Sequence, residues 1–231
     1  MELKRKQAGF TLVEIAIVLV IIGLLLGGIL KGQEMITQAR IKNVVNDFNG
    51  ITAAYFSYMD RYKAVPGDDI NASGRWSGAL NGTSNGQING LYGVSSPATL
   101  TQAVVNTETS AGGEAWNFWW HLRLAGFVAG ATSGQAAYSQ PTNAVGGIVG
   151  VQTNAFTAPG LTGVVMCSAN VPDKVASAVD TQVDDQRSNA GQMMAYPMAA
   201  GDTAATDMTA KTPASAYQET GSAQYVICKS I

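Results

Sequence analysis

From Phe10 to Leu30 the chain is an almost unbroken apolar run, and its one charge is Glu14. After Lys31 the hydrophobic residues thin into a stripe, Ile41, Val44, Val45, Phe48, Ile51, Tyr55, Tyr58 and Tyr62, separated by steps of three and four. About 20 apolar residues are enough to cross a bilayer as a helix, and the three-and-four spacing lines one face of a helix. The pattern therefore predicts a single helix from Phe10 to about Tyr62, roughly 80 Å long at about 1.5 Å per residue. Its first half reads as a membrane span and its second as a spine with one face on a domain. Gly23, Gly27, Gly28 and Gly32 weaken its middle by up to about 1 kcal/mol each relative to alanine. Pro66 disfavours helical geometry at Val65, and Gly67-Asp68-Asp69 reads as a turn. A metal pair at Asp68 and Asp69 is the weaker alternative there.

Beyond the turn the pattern loosens. Residues 71–113 are rich in Gly, Ser, Asn and Thr and predict an irregular region with one short helix near Pro97 to Val105. The stretch 113–127, GEAWNFWWHLRLAGF, predicts a short helix stopped by Gly126. Trp116, Trp119, Trp120 and His121 could form a sugar platform, but aromatic residues at helical spacing are more often core, so a buried helix is the stronger reading. Val145 to Val151, Leu161 to Ser168 and Gln224 to Lys229 contain Val/Ile runs bounded by turn residues and predict strands. Residues 172–191 predict a helix from about Pro172 with Val175, Ala178, Val179 and Val183 inward. Asp180, Asp184 and Asp185 gather at its end. The element set is α+β, with an antiparallel sheet laid on the stripe of the long helix.

Composition narrows the function. The 231 residues include 13% charged side chains with a net charge of -2, so the chain lacks the basic field of a nucleic-acid binder. One histidine sits among tryptophans, and no G-x-S-x-G, H-E-x-x-H or phosphate-binding glycine motif is present, which argues against an enzyme. Lys4, Arg5 and Lys6 precede the apolar run, and the positive-inside rule keeps that end cytoplasmic while sending the rest outward. On that side Cys167 and Cys228 can pair, closing a loop of about 60 residues worth roughly 4 kcal/mol on a chain-entropy account. Two buried free thiols are the alternative. A secretory cleavage site after the run would fall at Gly27-Gly28, too late and inside continuing helix.

The stretch Gly9-Phe10-Thr11-Leu12-Val13-Glu14, behind a short basic leader and ahead of an apolar span, resembles the N-terminal motif of the type IV pilin superfamily. The resemblance is strong over residues 4 to about 62. It implies that a prepilin peptidase cuts between Gly9 and Phe10 on the cytoplasmic side and N-methylates Phe10. It implies a pilin-like fold in which the cysteine pair brackets the variable C-terminal region. It further implies partners: other pilin subunits and an inner-membrane assembly platform. The division expected is a leader at 1–9, a transmembrane half at 10–30, a spine at 31–62 and an exported domain at 63–231.

Glu14 then gains a role. A carboxylate within a bilayer costs several kcal/mol unless it is paired, and cleavage creates an amine on Phe10 that the Glu14 of a neighbouring subunit can meet, setting axial register. A snorkelling acid without a partner is the alternative. Calcium sites occur in some pilin-like domains, and Asp180, Asp184 and Asp185 are a candidate calcium set, though their spacing matches no EF-hand and a solvated turn explains them as well. Lys31 stands where filament-forming pilins often carry proline, which favours a minor or variant pilus subunit. A pseudopilin of a type II secretion system and a pilus-tip adhesin are the competing readings. The expected location is the bacterial inner membrane, then a surface pilus or a periplasmic pseudopilus.

Overall fold

The computed structural model describes residues 11–94, 99–105, 113–157, 160–198 and 207–231. Gly9 and Phe10 lie outside the described residues, as does Pro97 of the expected short helix. The chain divides into two compact units, residues 1–39 and 40–231. In the first, helix α1, Leu12–Tyr62, begins at Leu12, and its large apolar side chains from Leu12 to Ile36 stand exposed. The helix is long and apolar enough to cross a membrane, and none of its most apolar window is buried.

The second unit opens with the remaining turns of α1, where Ile41, Val44, Phe48, Ile51, Ala54, Tyr55 and Tyr58 are buried. This is the predicted stripe, joined by Ala54, with Val45 and Tyr62 half-buried at its margins. The helix stops at Tyr62 because Lys63 turns left-handed, at φ 54°, while its N–H still donates to the Met59 carbonyl at 2.9 Å. Pro66 follows and prevents resumption.

The irregular region contains two short helices, α2 (Ala72–Arg75) and α3 (Gln102–Val105). Helix α4, Gly113–Leu124, then packs against α1 through Phe118, which stacks on Tyr55 with centroids 6.4 Å apart. It ends as expected at Gly126, whose φ of +78° allows a Schellman closure. The Gly126 N–H donates to Arg123 and the Phe127 N–H to Leu122. A short α5, Gln135–Tyr138, leads into the sheet.

The sheet is antiparallel throughout, in the order β1-β2-β4-β3, with β1 at Val149–Ala155, β2 at Leu161–Pro172, β3 at Met193–Met198 and β4 at Gln224–Ser230. Helix α6, Asp173–Val183, joins β2 to β3. Alternation sorts the side chains by face. Val164, Met166, Val171, Tyr225 and Ile227 join the core that contains the α1 stripe, Trp119 and Val179. Val165, Cys167, Val226 and Cys228 meet Tyr92, Phe156 and Met208 in a second cluster. Loops therefore cover the face that the helices leave open.

Two strand boundaries, one whole strand and two short helices, α2 and α5, differ from the sequence expectation. Strand β1 starts at Val149, not Val145, because the Asn143 side chain accepts the N–H groups of Val145 and Gly147 and holds 143–147 as a turn. Strand β2 runs on to Pro172 past a register shift between Ser168 and Val171. Strand β3, MMAYPM, has no Val or Ile and carries Pro197, which an edge strand tolerates.

Candidate functional site

The first turn of α1 is a capping box. Glu14 donates its backbone N–H to Thr11 Oγ1 at 3.3 Å, while Glu14 Oε2 accepts both the Thr11 N–H and the Thr11 hydroxyl at 2.8 Å. The pattern Thr-Leu-Val-Glu is the sequence signature of this device, a signal separate from the apolar periodicity that predicts the helix. Glu14 is thus neither a lone snorkelling acid nor wholly free. One oxygen is committed at the electropositive start of the helix, and among the described residues no donor reaches Oε1.

At the other end of α1 lies a buried polar junction. Tyr58 donates its hydroxyl to Asp69 Oδ2 at 2.7 Å, Arg75 forms an ion pair with the same carboxylate, and the Asn71 N–H donates to Asp69 Oδ1 at 2.9 Å. Asp68 accepts the N–H groups of Asn85 and Gly86 at 3.1 and 2.7 Å. Glu114 accepts those of Thr83 and Asn89 at 2.7 and 2.9 Å. Burial pushes the Glu114 carboxyl up, and neighbouring Asp68 adds to this, against the N–H donors. Every one of these carboxylates thus faces hydrogen-bond donors or a guanidinium, which is what an acid that organises a turn requires. This agrees with the turn reading of Pro66-Gly67-Asp68-Asp69. The donors to Asp68 and Glu114 come from residues 83–89, a stretch whose composition gave no hint of where its N–H groups would point.

Helix α4 completes the junction. His121 Nδ1 accepts the Gly67 N–H at 3.0 Å and its Nε2–H donates to the Leu80 carbonyl at 2.8 Å, which fixes the neutral tautomer. Complete burial pushes its pKa down to about 4. Asn117 Nδ2 donates to the carbonyls of Gly67 and Leu80. Trp116, Trp119 and His121 are buried, and half-buried Trp120 donates its indole N–H to the Thr132 carbonyl at 3.0 Å. These aromatic residues form core and not a sugar platform.

Cys167 and Cys228 are joined in a disulfide and sit directly opposite each other on β2 and β4. Asp180, Asp184 and Asp185 converge at the end of α6, each offering a carboxylate oxygen, all within 4.8 Å of one another.

Comparison with known proteins bears on the N-terminus. Residues 4–30 match the family model of the prokaryotic N-terminal methylation motif. No curated protein and no solved structure matches the chain. The motif implies processing by a prepilin peptidase and assembly with other pilins, and with the apolar helix it fits a membrane-anchored subunit. The chain therefore carries, at residues 4–30, the N-terminal signature of the type IV pilins and pseudopilins.

Proposed function

We propose that this protein is a structural subunit of a type IV pilus, of the minor or variant kind, and that its mechanism is assembly and not catalysis. The observation that carries the reading is the methylation motif at residues 4–30 set on a helix whose apolar side chains are exposed from Leu12 to Ile36. Such a surface is stable in lipid or against copies of itself, and unstable in water. The leader is residues 1–9, the anchor 10–30, the spine 31–62 and the exported domain 63–231. Hydrolysis of the Gly9–Phe10 peptide bond removes the leader and leaves an amine on Phe10, to which the same enzyme transfers a methyl group from a sulfonium methyl donor, releasing the donor as a thioether and one proton from the amine. Subunits then leave the inner membrane for a growing helical polymer in which apolar spans bury one another. The Phe10 amine meets the Glu14 carboxylate of a neighbour, so two charges that are costly apart become one pair.

The loop-rich stretch ahead of β1, and Lys31 in place of a helix-loosening proline, favour a minor subunit over a major one. A pseudopilin would use the same chemistry in a shorter periplasmic filament. The test is intact mass of the full chain produced with active and with inactive prepilin peptidase. Loss of residues 1–9 and gain of one methyl group only with the active enzyme, both blocked by Gly9→Val, is the expected result. A chain that keeps its leader beside an active peptidase contradicts the proposal.

A further inference from the structure

We propose that Asn85–Gly86 is a self-modifying site: the Gly86 nitrogen closes on the Asn85 side chain, with Asp68 as general base, and converts the asparagine by way of a succinimide into aspartate or isoaspartate. The proposal rests on this chain's domain alone and is independent of the filament reading.

The loop 81–90, NGTSNGQING, contains Asn-Gly steps at Asn81, Asn85 and Asn89, and a further one, Asn49–Gly50, lies inside α1. An asparagine followed by glycine is chemically labile. The glycine nitrogen is held near the side-chain amide carbon by the chain itself, and no Cβ obstructs its approach.

At Asn85 the fold supplies what this ring closure needs. The Gly86 N–H, whose nitrogen is the nucleophile, donates to Asp68 Oδ2 at 2.7 Å, so a carboxylate stands on the proton that must leave. The Asn85 N–H donates to Asp68 Oδ1 at 3.1 Å and fixes the carboxylate against the same peptide. The Gln87 N–H donates to Asn85 Oδ1 at 2.9 Å, the oxygen on which negative charge develops as the ring closes. Asp68 is buried, whereas Asn85, Gly86 and Gln87 are exposed, so ammonia can leave and water can enter.

The neighbouring steps lack this set. The Gly82 N–H donates to the Asp69 backbone carbonyl, which is no base, and Asn81 Oδ1 is held by the Ser73 N–H at 2.8 Å. At Asn89 it is the asparagine's own N–H that donates to Glu114, and among the described residues no carboxylate accepts the Gly90 N–H.

The reaction needs no co-reactant but water. Asp68 takes the Gly86 proton as the bond from nitrogen to Asn85 Cγ forms. The tetrahedral centre then expels the Asn85 Nδ2 group, which recovers that proton and leaves as ammonia. Water opens the succinimide at Cγ or at the backbone carbonyl, giving aspartate or isoaspartate at position 85. Ring closure removes the Gly86 N–H, and the hydrolysed product carries a new negative charge beside Asp68. Either change weakens the hold of Asp68 on the loop, while the Ile88 N–H keeps its bond to Thr153 Oγ1 on β1.

The test incubates the full chain at neutral pH in heavy-oxygen water, folded in detergent and, separately, unfolded in urea, and locates the products by peptide fragmentation. In the folded chain residue 85 should gain the mass difference between water and ammonia together with one heavy oxygen, and Asn81 and Asn89 should stay unchanged. Conversion at Asn85 should be about tenfold or more faster folded than unfolded, and Asp68→Asn should remove that acceleration. Should Asp68→Asn fail to fold, the folded and unfolded parent chains decide alone. Conversion at Asn85 no faster in the folded chain, equal conversion at Asn81, Asn85 and Asn89, or an undiminished rate in folded Asp68→Asn overturns the proposal.

Discussion

His121 Nδ1 accepts the backbone N–H of Gly67 at 3.0 Å, so the turn that ends the long helix is held by an imidazole that must stay neutral. In the unfolded chain that ring titrates at its ordinary value of 6.5, and in the fold burial pushes it down to about 4. The unfolded chain binds the extra proton first, so this contribution is complete above 6.5 and is lost as pH falls from there through 4. Full loss amounts to about 3 kcal/mol. His121 is the only histidine. Denaturant unfolding from pH 7.5 to 4.5 should show falling stability, and His121→Gln should flatten that slope while lowering stability at pH 7.5. An unchanged slope in the variant contradicts the assignment.

Gly67 itself has no room for a side chain. Its φ is +90°, and a Cβ there would come 2.6 Å from the Glu114 carbonyl oxygen. Gly67→Ala should cost about 2 kcal/mol or more through backbone strain and displacement of α4. Thermal melting checks this, with Gly78→Ala as the control, since Gly78 also has positive φ but open space around it.

Cys167 and Cys228 join strands that the ladder already pairs, with Met166 opposite Lys229 and Ser168 opposite Ile227 on either side. Removing the bond should therefore leave the topology and cost stability. The double variant Cys167→Ala with Cys228→Ala should unfold at lower denaturant, by about 2–4 kcal/mol, with its circular dichroism spectrum unchanged. Loss of the folded spectrum in buffer would show that the bond is needed to form the sheet.

Glu14 has two roles to separate, a cap within its own helix and a charge offered to a neighbour. Glutamine serves at the third position of a capping box as glutamate does, but it brings no charge. Glu14→Gln should thus behave like Glu14→Ala, cleaved normally but assembled poorly, if the charge sets register. Thr11→Val removes the hydroxyl that donates to Oε2 and accepts the Glu14 N–H, leaving only the backbone N–H on Oε2, and should lose part of the assembly yield, which Thr11→Ser should restore. Normal filaments from Glu14→Gln contradict the pairing account.

Much of the fold was legible because periodicity reports burial directly. The stripe from Ile41 to Tyr58, the α4 aromatics and the Val/Ile strands all followed from spacing. Strand β3 did not, because Met193 and Met194 have no strong strand preference and Pro197 argues against one; pairing with β4 decides it. The Thr11–Glu14 box is written in the sequence as a Thr-x-x-Glu pattern at the head of the apolar run, a signal independent of the charge of Glu14. Asp68 and Glu114 could not be read at all. Their partners are backbone N–H groups 17 to 31 residues distant, and backbone donors leave no mark in a sequence. Asp180, Asp184 and Asp185 stood out as a spacing of acids, whereas the Tyr217 hydroxyl that donates to Asp180 needed the structure.

The most direct test of the central claim is mass spectrometry of the protein in sheared surface filaments and, separately, in membranes of the same cells. The account predicts a chain in the filaments that begins at N-methyl-Phe10 and is lighter by one hydrogen from each of Cys167 and Cys228. A processed chain confined to the membranes contradicts the pilus assignment in favour of a pseudopilus, and a chain still carrying residues 1–9 in both fractions contradicts the assembly account altogether.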